Sequence, residues 1–174
     1  LKGRPRPPKR GSEQVLRPDY MQKSVQGVTL QFLKAAGIGG LIVDIDNTLA
    51  KHDDPTPAPG AREWVEAMRA GGIKLCIISN NGEERVRPFA QLLGLPYVHS
   101  AKKPLPKSYR RAVALLGLPR EACAMVGDQL FTDMLGGNIA GVKTILVNPI
   151  DERELAQIQF KRKLERLFVK REED

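Results

Sequence analysis

Short apolar runs alternate with amphipathic segments along most of this sequence, and this alternation constrains the fold more than any other feature. Runs rich in Ile and Val predict buried strands at 41–45, 73–78, 122–126 and 143–147, with a weaker strand at 97–100. Apolar residues recur at helical spacing in the segments between them, at 61–70, 83–94, 106–117 and 131–141, and a short helix is predicted within 28–40. Strands that are apolar on both faces and separated by helices predict an α/β fold, a Rossmann-like three-layer α/β/α arrangement with a central parallel sheet.

The length and the ends of the chain predict one domain with basic extensions. A chain of 174 residues matches one domain, and no apolar run approaches the roughly 20 residues of a membrane-spanning helix. The basic residues at the start are followed by no apolar stretch, so no signal peptide is predicted. We predict a basic, disordered tail at 1–17, a folded domain at 18–150 and an amphipathic basic helix at 151–174.

Two features of composition bear on compartment. Cys76 and Cys123 lie inside apolar runs, without a CxxC pair or a cluster of histidines. Both are therefore predicted to be buried free thiols of a protein in the reducing cytoplasm, with contact at the inner face of the membrane as an extension of that prediction.

The positive charge is concentrated near the start of the chain. The formal net charge is +8, and residues 1–17 hold six Lys or Arg against one Glu. Such a tail is either solvated or in contact with phosphates of lipid or nucleic acid. In the last segment, apolar residues share one helical face that basic residues surround, and this helix either packs on the protein's own sheet or lies on an anionic bilayer. The apolar residues are Phe160, Leu164, Leu167 and Phe168.

Polar side chains follow the predicted strands where each one ends. In parallel α/β sheets, ligands bind beyond the carboxyl ends of the strands. Asp44 and Asp46 close the strand in LIVDIDNTLA, where an unpaired buried carboxylate would be costly. Further residues are expected at the same edge: Ser79, Asn80, Lys102, Lys103, Asp128 and Asp133.

This set of groups indicates phosphoryl-transfer chemistry. Clustered carboxylates need a counter-charge, and Mg²⁺ prefers oxygen ligands. Mg²⁺ and a lysine together neutralise a phosphoryl group during transfer. One carboxylate can attack phosphorus, and a second acid two residues further on can protonate the leaving oxygen and later activate water. The alternatives are helix caps or turn residues at Asp128, Ser79, Asn80 and Asn81, and an ordinary first-turn acid at Asp133.

Four segments together resemble the ordered motifs of the haloacid dehalogenase (HAD) superfamily. They are DIDNT at 44–48, IISNN at 77–81, KKP at 102–104 and GDQLFTD at 127–133, and the resemblance extends over about residues 40–148. It implies that Asp44 is the nucleophile and binds Mg²⁺ through its second oxygen. It also implies that Asp46 is the general acid/base and binds Mg²⁺ through its backbone carbonyl.

The resemblance implies further residues that handle the phosphate. Thr48 would orient the two acids, and Ser79 would hydrogen-bond a phosphoryl oxygen, with Asn80 as a neighbouring substrate-binding candidate. Lys103 would balance the charge of the nucleophile and the phosphate. It is preferred to Lys102 because the lysine directly before proline has this role in related members.

The metal ligands and the second acid narrow the reaction that the resemblance implies. Asp128 would bind Mg²⁺ directly, and Asp133 directly or through water. A superfamily dehalogenase lacks the second acid that Asp46 supplies, and a pump would need transmembrane segments. The predicted activity is Mg²⁺-dependent hydrolysis of a phosphomonoester through an aspartyl-phosphate intermediate.

The gaps between motifs predict an enzyme without a cap domain. Only about 30 residues separate Thr48 from Ser79, and about 24 separate Ser79 from Lys103, which is enough for a helix and a strand in each gap. This resembles the capless HAD subclass (subclass IIIA), whose open sites suit bulky substrates or an oligomeric partner. The oligomeric state itself stays open.

A narrower resemblance, to the YqeG family of bacterial HAD phosphatases, covers nearly everything from residue 16 onward. It includes LRPDYMQKSV, IISNNGEERV, KKPLPKSYRRA and GDQLFTDMLGGNIAG. Relatives in mitochondria and plastids dephosphorylate phosphatidylglycerophosphate, which implies a phospholipid substrate here. The alternatives are a phosphatase of nucleotides, sugars or phosphoproteins, and a HAD-fold protein that binds RNA or a ribosomal particle.

Overall fold

The computed structural model describes residues 15–151, which form a six-stranded parallel sheet between two layers of helices. The strands are β1 (Tyr20–Gln22), β2 (Gly40–Val43), β3 (Lys74–Ile78), β4 (Tyr97–Val98), β5 (Cys123–Gly127) and β6 (Lys143–Val147). The α-helices are α1 (Leu30–Ala35), α2 (Ala61–Ala70), α3 (Glu83–Leu93), α4 (Pro106–Leu116) and α5 (Leu135–Ala140). The strands lie in the order β1-β6-β5-β2-β3-β4, and the α/β/α prediction is confirmed.

Successive residues of each central strand point into two separate hydrophobic cores. Leu41 and Val43 of β2 pack with Trp64 and Phe89, which come from α2 and α3. Ile42, between them in sequence, belongs to the core on the other face, formed chiefly by α4 and α5. Because side chains alternate across a strand, two apolar faces explain why the strands are apolar throughout.

The register of the central strands brings their carboxyl ends to the same level. Val43 of β2 pairs with Ile77 of β3 on one side and with Val126 of β5 on the other. The residues that follow these strands therefore emerge side by side. Beyond β2, the backbone N–H of Asp44 still donates to the carbonyl of Val126, at 3.0 Å.

The connections beyond β2 and β3 contain no inserted domain within residues 15–151. A loop and α2 join β2 to β3, and α3 joins β3 to β4. The capless prediction is confirmed for this part of the chain. The tail predicted at 1–17 lies outside the described residues except for its last three, as does the helix predicted at 151–174 except for Asp151, so both stay predictions.

Three details of the fold differ from the sequence prediction. β1 was not predicted, since its three residues carry no distinctive pattern; it pairs with the edge of β6, where the Asp19 carboxylate accepts from the backbone N–H of Thr144 at 2.9 Å. The weak strand at 97–100 is only two residues long. The helix predicted at 131–141 is divided into a π-helical turn, Leu130–Met134, and α5.

Tyr109 packs against the break before α5. Its hydroxyl donates to the carbonyl of Thr132 at 2.7 Å, and its ring lies so close to Gly136 that a Cβ there would overlap it. The turn is therefore anchored to α4 from the side.

The two cysteines are buried and free, as predicted.

Candidate active site

A buried lysine between two carboxylates forms the centre of the site. The Nζ of Lys103 lies 2.8 Å from Oδ1 of Asp44 and 2.7 Å from Oδ1 of Asp133. The side chains of Lys103, Asp44 and Asp133 are 4%, 6% and 0% exposed. Buried charges are costly when they are unpaired, and here the Lys103 ammonium pairs with the carboxylates of Asp44 and Asp133.

The backbone around Lys103 places it there. The side-chain carbonyl of Asn80, at the end of β3, accepts from the backbone N–H of Lys103 at 2.7 Å. Lys102, one residue earlier, is exposed. Asn80 therefore fixes the loop that delivers the lysine, and its predicted contact with substrate stays a prediction.

The π-helical turn after β5 positions Asp133. The second carboxylate oxygen of Asp133 accepts from the backbone N–H of Gln129 at 3.1 Å. A Cβ on Gly127 would overlap this carboxylate, so the close approach of the turn to the end of β5 requires glycine. A steric constraint therefore explains why GDQLFTD begins with glycine.

Asp128 completes a cluster of three acids that fits a divalent cation. Carboxylate oxygens of Asp44, Asp128 and Asp133 lie within 4.8 Å of one another. Both oxygens of Asp128 are buried and accept no hydrogen bond from the described residues. Buried acceptors of this kind are the oxygen donors that Mg²⁺ prefers, and the donor set therefore fits Mg²⁺.

The pKa values of these groups reflect the same crowding. Burial, with the neighbouring Asp133 and Asp44, raises the pKa of Asp128 to about 8. Burial raises the pKa of Asp44 to about 7, although Lys103 opposes that shift. Burial alone would lower the pKa of Lys103, but Asp133 and Asp44 outweigh it and raise that pKa. A divalent cation would remove the repulsion between the acids.

Asp46 lies outside this cluster and has its own partners. Its Oδ2 accepts from the side-chain amide of Asn81 at 2.6 Å, and its Oδ1 accepts from Arg85 at 3.1 Å. The backbone N–H of Asp53 also donates to Oδ1, at 3.2 Å. Sequence reasoning treated Asn81 only as a capping residue and missed Arg85, because an arginine in an amphipathic helix carries no signal of a partner.

Two predicted hydroxyl groups are buried near the site. The hydroxyl of Ser79 accepts from the backbone N–H of Asn81 at 3.1 Å, which leaves its own proton for another acceptor. The hydroxyl of Thr48 is buried without a hydrogen-bond partner among the described residues. Among the described residues the Thr48 hydroxyl forms no hydrogen bond with either acid, so its orienting role stays a prediction.

Fold and site together define a class of protein, a capless three-layer α/β/α enzyme with a carboxylate and lysine centre at the sheet edge. The comparisons with known proteins agree with this class. A family model for haloacid dehalogenase-like hydrolases matches residues 10–141. The chain therefore belongs to the haloacid dehalogenase-like hydrolase family.

Individual relatives refine this assignment. The chain is 43% identical over 152 residues to a Bacillus subtilis protein named "Probable phosphatase YqeG", covering 87% of this chain and 88% of that protein. It is 28% identical to "Phosphatidylglycerophosphate phosphatase 1, chloroplastic" of Chlamydomonas reinhardtii, covering 92% of this chain and 64% of that protein. Phosphatase is accordingly the class of hydrolase that the similarities support.

A solved structure shows the same fold. NagD from E. coli K-12 superimposes with a TM-score of 0.54 at 17% identity, over 63% of this chain and 87% of that chain. At this identity the similarity shows the fold alone. Among the described residues, no helix is long and apolar enough to pass through a bilayer.

Proposed function

We propose that this protein is a Mg²⁺-dependent phosphomonoester hydrolase that works through an aspartyl-phosphate on Asp44. The observation that carries the proposal is a buried cluster in which carboxylate oxygens of Asp44, Asp128 and Asp133 lie within 4.8 Å of one another and Lys103 pairs with two of these acids. A cation site and a lysine beside a carboxylate are the groups that phosphoryl transfer requires.

The reaction has two steps on this chain. In the first, a carboxylate oxygen of Asp44 bonds to phosphorus, the ester P–O bond breaks, and the leaving oxygen takes a proton from Asp46. In the second, Asp46 takes a proton from water, the water oxygen bonds to phosphorus, and the P–O bond to Asp44 breaks. Inorganic phosphate leaves, and both side chains return to their starting states.

The remaining side chains bind the phosphoryl group and the cation. Asp44, Asp128 and Asp133, with the backbone carbonyl of Asp46, would hold Mg²⁺. When bound, Mg²⁺ supplies positive charge that offsets the negative charge on the phosphoryl oxygens. The Lys103 ammonium faces the same oxygens, and the Ser79 hydroxyl donates to one of them.

We infer that the substrate is a phospholipid bearing a phosphomonoester, with phosphatidylglycerophosphate as the first candidate. The support is the printed name of the Chlamydomonas relative, together with the capless site, which leaves room for a bulky substrate. The proposed location is the cytoplasm, with peripheral contact at the inner face of the membrane.

The surface beside the site suits an anionic bilayer. Leu105 and Phe131 are 57% and 41% exposed. Leu105 directly precedes α4, Phe131 lies in the π-helical turn, and the Lys103–Asp133 ion pair joins these two segments. Besides the buried Lys103, residues 101–119 contain four basic residues and no acidic one, and Lys102 and Lys107 are exposed next to Leu105. Apolar side chains flanked by cations bind anionic lipid surfaces.

A phosphate-release screen tests the proposed activity. Purified protein with Mg²⁺ is assayed on phosphatidylglycerophosphate in vesicles, glycerol phosphate, a nucleotide and a phosphopeptide, beside the Asp44→Asn variant. We expect Mg²⁺-dependent release that is fastest with the lipid and absent from the variant. Phosphate release by Asp44→Asn at the wild-type rate would contradict the proposed mechanism. Faster hydrolysis of a water-soluble ester than of the lipid would contradict the proposed lipid substrate.

Vesicle flotation tests the surface separately from the chemistry. The double variant Leu105→Ser, Phe131→Ser is expected to lose binding to phosphatidylglycerol vesicles while hydrolysing p-nitrophenyl phosphate at the wild-type rate. The matched control is Leu115→Ser, which changes a leucine of similar exposure (48%) in the last turn of α4, away from this edge. Wild-type flotation by the double variant would exclude this surface as the docking site.

A further inference from the structure

The residues around Asp46 form a second cluster that no motif or family similarity assigns to a role. The Asp46 carboxylate accepts three hydrogen bonds, from Asn81, Arg85 and the backbone of Asp53. One donor contacts Oδ2 and two contact Oδ1, so the orientation of the carboxylate plane is determined by the surrounding protein. This is more support than an ordinary loop aspartate receives.

Arg85 is itself held in place. It lies in the first turn of α3, and its guanidinium carbon is 5.5 Å from the centre of the Phe89 ring, one helical turn further on. Its side chain is only 17% exposed. A mostly buried guanidinium that lies over an aromatic ring and pairs with a carboxylate has few alternative rotamers, so Arg85 is a rigid support for Asp46.

Asn81 is equally fixed. Its backbone N–H donates to the Ser79 hydroxyl at 3.1 Å, and its backbone carbonyl accepts from the backbone N–H of Ser100 at 2.8 Å. The segment that carries Asn81 is therefore tied both to the end of β3 and to the loop after β4. Asn81 links the position of Asp46 to the strand end that presents Ser79.

We propose that Arg85 and Asn81 are positioning residues that hold the Asp46 carboxyl group where it transfers a proton to the leaving oxygen. The inference deepens the proposed function and rests on it. Proton transfer requires hydrogen-bond reach, and a small displacement of a catalytic group costs up to about 100-fold in rate. Neither residue contacts the buried Asp44 and Lys103 pair through a described hydrogen bond, so the effect would pass through Asp46.

The leaving group distinguishes this role from a general structural one. An alkoxide leaves only when it is protonated, so an alkyl phosphate depends on Asp46. The p-nitrophenolate ion leaves without a proton, so p-nitrophenyl phosphate depends on Asp46 little. The value of kcat/KM reports the steps up to the aspartyl-phosphate, where the leaving group departs.

The test compares glycerol phosphate with p-nitrophenyl phosphate in Mg²⁺. We expect Arg85→Gln to lower kcat/KM about 30-fold for glycerol phosphate and less than about 3-fold for p-nitrophenyl phosphate. Asn81→Ala should show the same selectivity. Arg85→Lys, which keeps the charge but loses the planar donor group, should recover part of the loss.

Two controls locate the effect. Arg87→Gln changes an exposed arginine of the same helix that pairs with Glu83, and it should leave both substrates unaffected. Adding Arg85→Gln to Asp46→Asn should cause no further loss, because the residue that Arg85 positions is already disabled.

The outcomes separate this inference from the proposed function. A wild-type protein that hydrolyses neither ester would overturn both. If the wild type is active, equal losses on the two substrates for Arg85→Gln and Asn81→Ala would overturn the positioning role, as would unchanged hydrolysis of glycerol phosphate. Should Arg85→Gln fail to fold, Asn81→Ala and Arg85→Lys decide the question by the same ratio.

Discussion

Asp44 and Asp46 are two residues apart in the chain, yet their carboxylates lie in different surroundings. Asp44 is 6% exposed, pairs with Lys103 and faces two further buried acids. Asp46 is 13% exposed and accepts hydrogen bonds from Asn81, Arg85 and the loop that follows it. The comparison teaches that partners, rather than residue type, give two identical side chains different environments, and the roles proposed for Asp44 and Asp46 rest on that difference.

The largest expected effect comes from changing Asp44, the more buried of the two aspartates. Asp44→Asn removes the proposed nucleophile while leaving Lys103 paired with Asp133, so the protein should fold and lose at least about 10⁴-fold in kcat on every phosphate ester. Steady-state kinetics with p-nitrophenyl phosphate and thermal unfolding check both parts. A residual rate within tenfold of the wild type would assign the nucleophile elsewhere.

Changing Asp46 should lower activity less than changing Asp44, and the loss should depend on the substrate. Asp46→Asn is expected to lower kcat/KM about 10²–10⁴-fold for glycerol phosphate, the range of general acid catalysis, and clearly less for p-nitrophenyl phosphate. The measurement is the ratio of the two losses. Equal losses for both substrates would mean that the two carboxylates do not differ in the way that their surroundings suggest.

Replacing Lys103 tests whether its ion pairs stabilise the buried cluster of acids. Lys103→Met leaves the acids of the cluster without their cation, and breaking a buried pair costs about 3–5 kcal/mol in the free energy of unfolding. Lys102→Met, the control, changes an exposed neighbour and should leave stability unchanged. Chemical denaturation without Mg²⁺ at pH 8 measures both. Similar stability of the two variants would contradict the buried pairing.

The smallest effect concerns pH and metal. The pKa values of Asp44 and Asp128 are raised by burial to about 7 and about 8, so the folded state holds protons that the unfolded chain releases near pH 4. Without Mg²⁺, stability should therefore fall as the pH rises from about 4 to 8.

Calorimetry across this pH range measures whether Tm rises or falls with pH. We expect Tm to fall by at least about 4 °C and millimolar Mg²⁺ to restore it at pH 8. Asp128→Asn should weaken both the pH dependence and the response to Mg²⁺. An Asp128→Asn protein whose Tm depends on pH and on Mg²⁺ as strongly as that of the wild type would contradict the buried, repelling acids.

Much of the fold was predictable because the signals are local and repeated. Buried parallel strands require continuous apolar runs, and the helices that cover them require apolar residues at helical spacing, so the three-layer arrangement followed from the sequence. The edge strand β1 was missed because three residues paired only with β6 carry no periodic pattern. The break before α5 was missed because the contact that accompanies it comes from Tyr109, 23 residues from Thr132.

The candidate site divides in the same way. The sequence by itself determined which chemical groups stand at the strand ends, since the order of Asp44, Ser79, Lys103 and Asp128 is fixed along the chain. Only the tertiary structure decided that Lys103 lies between Asp44 and Asp133, and that Arg85 and Asn81 hold Asp46. The reason is physical: a strand end is encoded locally, whereas the partner of a buried charge depends on which distant segments pack around it.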